Sequence, residues 1–150
     1  MGLAVAQALA ARGNWDIHLI DMNPTAGEAA AASLPATFHQ ADCTSYPSLS
    51  SAFSTIFACT SRLDFVFAKA GIAEKVNFYA HYPGADPPPP FDLRVVDIFL
   101  DSVILTSYLA LHYFHLTDPE KKLQEGKRVD KSLVMTGSCG GLYPSYCSPT

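Results

Sequence analysis

The fold class is decided by residues 16–42, which read DIHLIDMNPTAGEAAAASLPATFHQAD. DIHLI (16–20) predicts a short strand that ends at Asp21. A proline at a first helical turn, followed by an alanine-rich stretch, predicts a helix after it. ATFHQA (36–41) predicts a second strand, which Asp42 follows. A strand, a helix and a strand in this order predict a parallel pair joined by a right-handed crossover.

The alternation continues on both sides of this segment. Residues 2–12 are rich in alanine and leucine and predict a helix that stops before Gly13. Downstream, the patterns predict a helix over 46–60, a strand over 64–68, a long helix over 91–115 and a strand over 132–137. We therefore expect an α/β fold, a doubly wound (Rossmann-type) parallel sheet, in a single domain over residues 1–150.

The composition and the net charge of the chain argue against several classes of function. The chain has 150 residues, 49 % of them hydrophobic, and a net charge of −4, which is typical of a globular domain and argues against nucleic-acid binding. No uninterrupted apolar stretch is long enough to predict a membrane span, and the first residues do not resemble a signal peptide. The four cysteines form no CxxC pair, so we expect a cytoplasmic protein.

Two segments between the predicted elements are irregular. Residues 72–90 contain five of the eleven prolines and end in a PPPP run, which predicts a long loop. Such loops are often functional, and a variable surface excursion is the alternative. Residues 118–131 hold nine charged residues of mixed sign, which indicates a solvated connection.

The best candidates for ligand binding follow the predicted strands, because ligands of doubly wound sheets bind at the carboxyl ends of strands. Asp21 follows one strand and lies 19 residues after Gly2, a spacing typical of the acidic residue that binds the ribose hydroxyls of NAD and repels a 2′-phosphate. Asp42 holds the equivalent place after the next strand. A helix cap or a turn is the alternative role for both. Ala70 and Gly71 would let the backbone approach a ligand closely, or would form a plain tight turn.

A metal site is not predicted. His112 and His115 are three residues apart on the long helix, but the sequence offers no third ligand near them. Cys139 and Cys147 are expected to remain free thiols in the cytoplasm.

Three segments carry a resemblance to a known family. They are MGLAVAQALAARG (1–13), DFVFAKAGI (64–72) and LVMTGSCGGLYPSYCSPT (133–150). In this order, and with the two aspartates, they resemble the short-chain dehydrogenases/reductases. The proline-rich loop is most similar to fungal members and to relatives of 15-hydroxyprostaglandin dehydrogenase.

The resemblance implies an NAD-dependent oxidoreductase that interconverts a secondary alcohol and a ketone by hydride transfer. It implies a substrate-binding role for Ser138, for which a hydroxyl that caps local backbone is the alternative. The implied cofactor contacts are Gly2 as the last glycine of the cofactor loop, Asp21 on the adenosine ribose, Asp42 with Cys43 at the adenine edge, and Ala70 with Gly71 at the middle of the cofactor.

The sequence also departs from the family's pattern. The first strand and two earlier glycines of the cofactor loop are absent, and the catalytic Tyr would fall just after Thr150, with its Lys beyond. Lys69 and Phe99 stand where the family carries Asn, and a phenyl ring cannot hold the relay water. We therefore expect a fragment, truncated at both ends, that is inactive as given.

Two alternatives remain at this stage. One is a non-catalytic binding or scaffold module that pairs with a full-length relative, and the other is a repurposed enzyme that uses Ser138. In the family the first strand lies between the strands that end at Asp21 and Ala68. Without it, these two strands would close on each other, or accept a strand from a partner chain, or leave the domain only marginally stable. The substrate and the oligomeric state are not predictable from the residues.

Overall fold

The computed structural model describes residues 1–73, 77, 79–117 and 130–137. Helices and strands alternate within these residues. The elements are α1 (Gly2–Ala10), β1 (Ile17–Asp21), α2 (Pro24–Ala32), β2 (Ala36–Gln40), α3 (Tyr46–Thr60), β3 (Phe65–Ala68), α4 (Arg94–Leu116) and β4 (Ser132–Met135). This order confirms the predicted α/β class.

Local chemistry sets the ends of the helices. Asn23 caps α2 by accepting a hydrogen bond from the Ala26 backbone amide at 3.1 Å, and Pro24 occupies the first helical position. α3 ends at Thr60, because Ser61 after it has a left-handed φ of 53° that stops the helix. α1 begins after Met1 without a side-chain cap, which leaves the first N–H groups of this helix without a side-chain acceptor.

The long helix α4 has a wider turn near its start. Ordinary helix at Arg94–Val96 passes into a π-helical turn at Asp97–Asp101 and returns to α-helix at Ser102–Leu116. By length and composition α4 could cross a membrane, a test that the core helix of a globular protein also passes. Leu109 and Phe114 of α4 belong to the core. Leu100, Ile104 and Tyr108 are more than half exposed, so packing within the described residues covers only part of the apolar surface of this helix.

The strands form two separate parallel pairs. β1 pairs with β2, with Ile17 opposite Ala36, and β3 pairs with β4, with Phe65 opposite Ser132. Within the described residues β1 and β3 do not pair, so the arrangement in which these strands close directly on each other does not occur.

A hydrophobic core between α3 and α4 holds the two strand pairs together. Its buried members are Leu49, Phe53, Leu109, Ala110 and Phe114. Ile20 from β1, Val66 from β3 and Leu133 from β4 pack against this cluster. Burial of these side chains links the two sheets through one helical layer, because the same cluster contacts a strand on each side.

Candidate cofactor-binding site

A cleft of about 1400 Å³ lies between β1 and β3 and extends to the carboxyl ends of the strands. Every described residue that the sequence predicted to contact the cofactor lines it, namely Gly2, Asp21, Asp42, Cys43, Ala70 and Gly71. Its volume exceeds the roughly 300–1000 Å³ of common ligand pockets because it includes the space between the two sheets. Ser138 lies outside the described residues, so its predicted role stays a prediction.

Asp21 combines a turn role with a free carboxylate oxygen. Its Oδ1 accepts a hydrogen bond from the Asn23 backbone amide at 2.8 Å, and the side chain is exposed. No other described residue donates to this carboxylate. The Asp21 carbonyl also accepts from the Ala41 amide at 3.1 Å, which extends the β1–β2 ladder by one bond. One carboxylate oxygen therefore remains for a ligand.

Asp42 is more fully engaged by its own loop. Its Oδ1 accepts from the Thr44 amide at 2.9 Å and from the Thr44 hydroxyl at 2.7 Å. The Asp42 amide donates to the Ser48 hydroxyl at 3.0 Å. These bonds hold the loop between β2 and α3 in a tight turn, so this carboxylate has the turn role that the sequence left open.

Cys43 is held between this loop and α4. Burial raises the pKa of the Cys43 thiol, a hydrogen bond with Ser102 lowers it, and the negative charge of Asp42 raises it further. The net pKa is raised, so the thiol stays protonated at neutral pH and is a poor nucleophile. Ser102 is only 3 % exposed and bonds the Ile98 carbonyl. Sequence reasoning missed this contact.

The ring of Phe99 covers Gly71. A Cβ built on Gly71 would lie 2.8 Å from two atoms of this ring, so the close approach expected at Ala70 and Gly71 is made by Phe99. Phe99 lies on the π-helical turn of α4 and remains 47 % exposed. The aromatic ring thus lies where the strand-end loop meets the long helix.

Lys69 follows β3 and lies at the beginning of α1. Its Cγ is 3.8 Å from the position that a Cβ on Gly2 would occupy. The side chain is half-buried, and no described residue forms an ion pair with it. Lys69 thus places a cation beside the positive end of the α1 dipole.

Two histidines on neighbouring strands contact each other. His18 on β1 and His39 on β2 form a hydrogen bond, with their ring nitrogens 2.9 Å apart, which the sequence did not predict. The described part of the chain contains no group of three or more His, Cys, Asp or Glu residues placed to hold a metal ion. The absence of a metal stays a prediction for the whole chain.

Comparison with known proteins assigns the family. A sequence profile described as enoyl-(acyl carrier protein) reductase matches residues 1–119. The short-chain dehydrogenase/reductase prx7 of Penicillium rubens is 45 % identical over 99 % of this chain and 52 % of its own length. The chain belongs to the short-chain dehydrogenase/reductase family.

A further relative agrees with this assignment, and a solved structure agrees with the fold. The 5′-hydroxyaverantin dehydrogenase of Dothistroma septosporum is 32 % identical over 97 % of this chain and 51 % of its own length. The crystal structure of 3-ketoacyl-(acyl-carrier-protein) reductase from Brucella melitensis, complexed with NADH, matches with a TM-score of 0.67 at 18 % identity. The match covers 92 % of this chain and 53 % of the solved chain, and it supports an incomplete Rossmann fold. The chain therefore spans about half the length of the relatives it matches.

Proposed function

We propose that this chain is the cofactor-binding half of an NAD-dependent oxidoreductase, with the adenosine diphosphate part of NAD bound in the cleft. Asp21 carries this proposal, because its exposed carboxylate keeps one oxygen without a described partner, in a cleft that the five other predicted contact residues also line. Family membership supports a nicotinamide cofactor, and the similar reductase with bound NADH supports the same group.

The residues present fit this cofactor. The uncapped first turn of α1 offers backbone N–H groups to a diphosphate, because helix N-termini bind anions. The free Asp21 oxygen would accept hydrogen bonds from the adenosine ribose. The loop at Asp42 and Cys43 would border the adenine, and Ala70 would border the middle of the cofactor, beside the Phe99 ring that covers Gly71. The cleft volume of about 1400 Å³ leaves room for all of these contacts.

The proposed reaction interconverts a small secondary alcohol and its ketone. When bound, NAD supplies the hydride acceptor for the alcohol, and NADH supplies the donor for the ketone. The residues that line the cleft are proposed to bind and orient the cofactor, and Ser138 is proposed to hold the substrate oxygen. Phe99 offers no hydrogen-bonding atom, so a proton relay through this position is not part of the proposal.

Asp21 is proposed to select NAD over NADP. A carboxylate beside the ribose accepts hydrogen bonds from two hydroxyls and repels a 2′-phosphate. Calorimetric titration of the chain with NAD and NADP tests this, with Asp21→Asn as the variant. Wild type should bind NAD at least about tenfold more tightly than NADP, and the variant should lose most of this preference, because a charged hydrogen bond contributes about 1.5–3 kcal/mol.

Glu28→Gln is the matched control, because Glu28 is exposed on α2 and does not line the cleft. The control should keep the wild-type preference. Tighter binding of NADP by wild type would contradict the role of Asp21. Binding of neither dinucleotide would contradict the proposed function itself.

A further inference from the structure

Lys69 is a departure from the family's pattern that the proposed function leaves unexplained. It is the first residue after β3, and its aliphatic stem lies against the first turn of α1, with Cγ 3.8 Å from the Cβ position of Gly2. The side chain is half-buried, so its stem packs on the protein while the ammonium group can reach the cleft. Both Lys69 and Gly2 line the cleft.

The positive charge at the beginning of α1 has no ion-pair partner among the described residues. No acidic residue lies in the first turn of α1, and Met1 provides no side-chain cap. No described residue forms an ion pair with Lys69. The positive end of the helix dipole and a lysine cation thus lie together, and no described carboxylate forms an ion pair with this lysine.

The opposite charge lies elsewhere in the same cleft. Asp21 ends β1 and Asp42 follows β2, and these two are among the six aspartates that line the cleft. A ligand that matches both ends carries a strong anion beside α1 and neutral hydroxyl donors beside Asp21. A nucleoside diphosphate has this arrangement, with its ribose attached directly to the diphosphate.

We propose that Lys69 is a cofactor-positioning residue that donates a charged hydrogen bond to the diphosphate of the dinucleotide. This inference rests on the proposed function and assigns a role to a residue that neither the family nor the other predicted contacts supply. Anchoring of the diphosphate by Lys69 and the α1 amides would fix the ribose against Asp21, because the two groups are covalently joined.

The test separates the diphosphate from the rest of the cofactor. Calorimetry measures the affinities of the chain for NAD, ADP and adenosine, with Lys69→Met, Lys69→Arg and the control Arg12→Met. Arg12 is exposed and lies beyond the opposite end of α1. Lys69→Met should weaken NAD and ADP by about tenfold or more and leave adenosine unchanged, because it removes one charged hydrogen bond. Lys69→Arg should retain most of the affinity, and Arg12→Met all of it.

A salt series supplies a second readout that needs no folded variant. Wild-type affinity for ADP should fall clearly between 50 and 500 mM NaCl, while that for adenosine should not, because the salt screens a charge–charge contact. If Lys69→Met weakens adenosine as much as ADP, or leaves ADP unchanged, the inference is overturned while the proposed function stands. If wild type binds neither adenosine nor NAD, both are overturned.

Discussion

The hydrogen bond between His18 and His39 requires that at least one of the two rings is neutral. His18 Nδ1 and His39 Nε2 are 2.9 Å apart, and two protonated rings would have no acceptor between them. Burial lowers the pKa of His39 below its ordinary value of 6.5, and the neighbouring His18 lowers it further. The pairing of β1 with β2 therefore includes a contact between two histidine side chains that depends on pH.

Stability should fall as the pH falls below 6.5. Because the pKa of His39 is lowered in the folded state, the unfolded chain binds more protons than the folded chain between the folded pKa and 6.5. The stabilising contribution is complete above pH 6.5 and is lost as the pH falls towards the folded pKa. Thermal unfolding between pH 5 and 8 measures this, and His39→Gln should flatten the dependence.

His112→Gln serves as the control, because His112 is exposed on α4. It should leave the pH dependence unchanged. An equally steep loss of stability in His39→Gln would assign the acid sensitivity to other groups.

At the scale of single residues, the position of a residue along the chain predicted whether it lies at the candidate site. It did not predict which side chains contact each other there. Asp21 and Asp42 could be selected because each follows a strand, and the ends of adjacent parallel strands meet. The cover of Phe99 over Gly71 and the bond of Ser102 to Cys43 could not be predicted, since each joins residues far apart in sequence. Their geometry depends on how α4 packs, which periodicity alone does not specify.

At the scale of elements, Thr117 ties the end of α4 to the start of β3. Its hydroxyl accepts a hydrogen bond from the Leu63 amide at 3.0 Å and donates to the Tyr113 carbonyl at 2.9 Å. Thr117 is only 6 % exposed, so water does not readily replace these bonds. This single side chain joins two elements that are separated by the whole proline-rich loop.

Thr117→Val should lower the free energy of unfolding by about 1–3 kcal/mol, because the Leu63 amide would lose its partner in a buried place. Thr117→Ser keeps the hydroxyl and should cost less. Urea denaturation monitored by circular dichroism gives both values. A larger loss for Thr117→Ser than for Thr117→Val would show that the methyl group, not the hydroxyl, holds the helix to the strand.

Elements with strong local signals were predicted closely. The helix over 46–60 matches α3, and the proline at the first turn of α2 marks its beginning. The long helix begins at Arg94 instead of residue 91, where Asp92 accepts a hydrogen bond from the Arg94 amide. The π-helical turn at Asp97–Asp101 was not predicted, because its apolar pattern is similar to that of an ordinary helix.

At the scale of the whole molecule, the alternation of helices and strands in the sequence predicted the class of fold. It did not predict that the strands form two separate pairs. The pairs stay apart and share one helical layer, and the space between them joins the candidate cofactor cleft. Ligand binding should therefore affect both pairs at once, because Asp21 follows one pair and Ala70 with Gly71 follows the other.

Hydrogen–deuterium exchange of the chain with and without NAD tests this most directly. NAD should slow exchange in peptides that contain the start of α1, the loop at 41–44 and the segment 69–71, and should leave the exposed end of α3 near Cys59 unchanged. Such protection at the ends of both strand pairs would support a shared dinucleotide site. Protection confined to one pair, or no protection at saturating NAD, would contradict it.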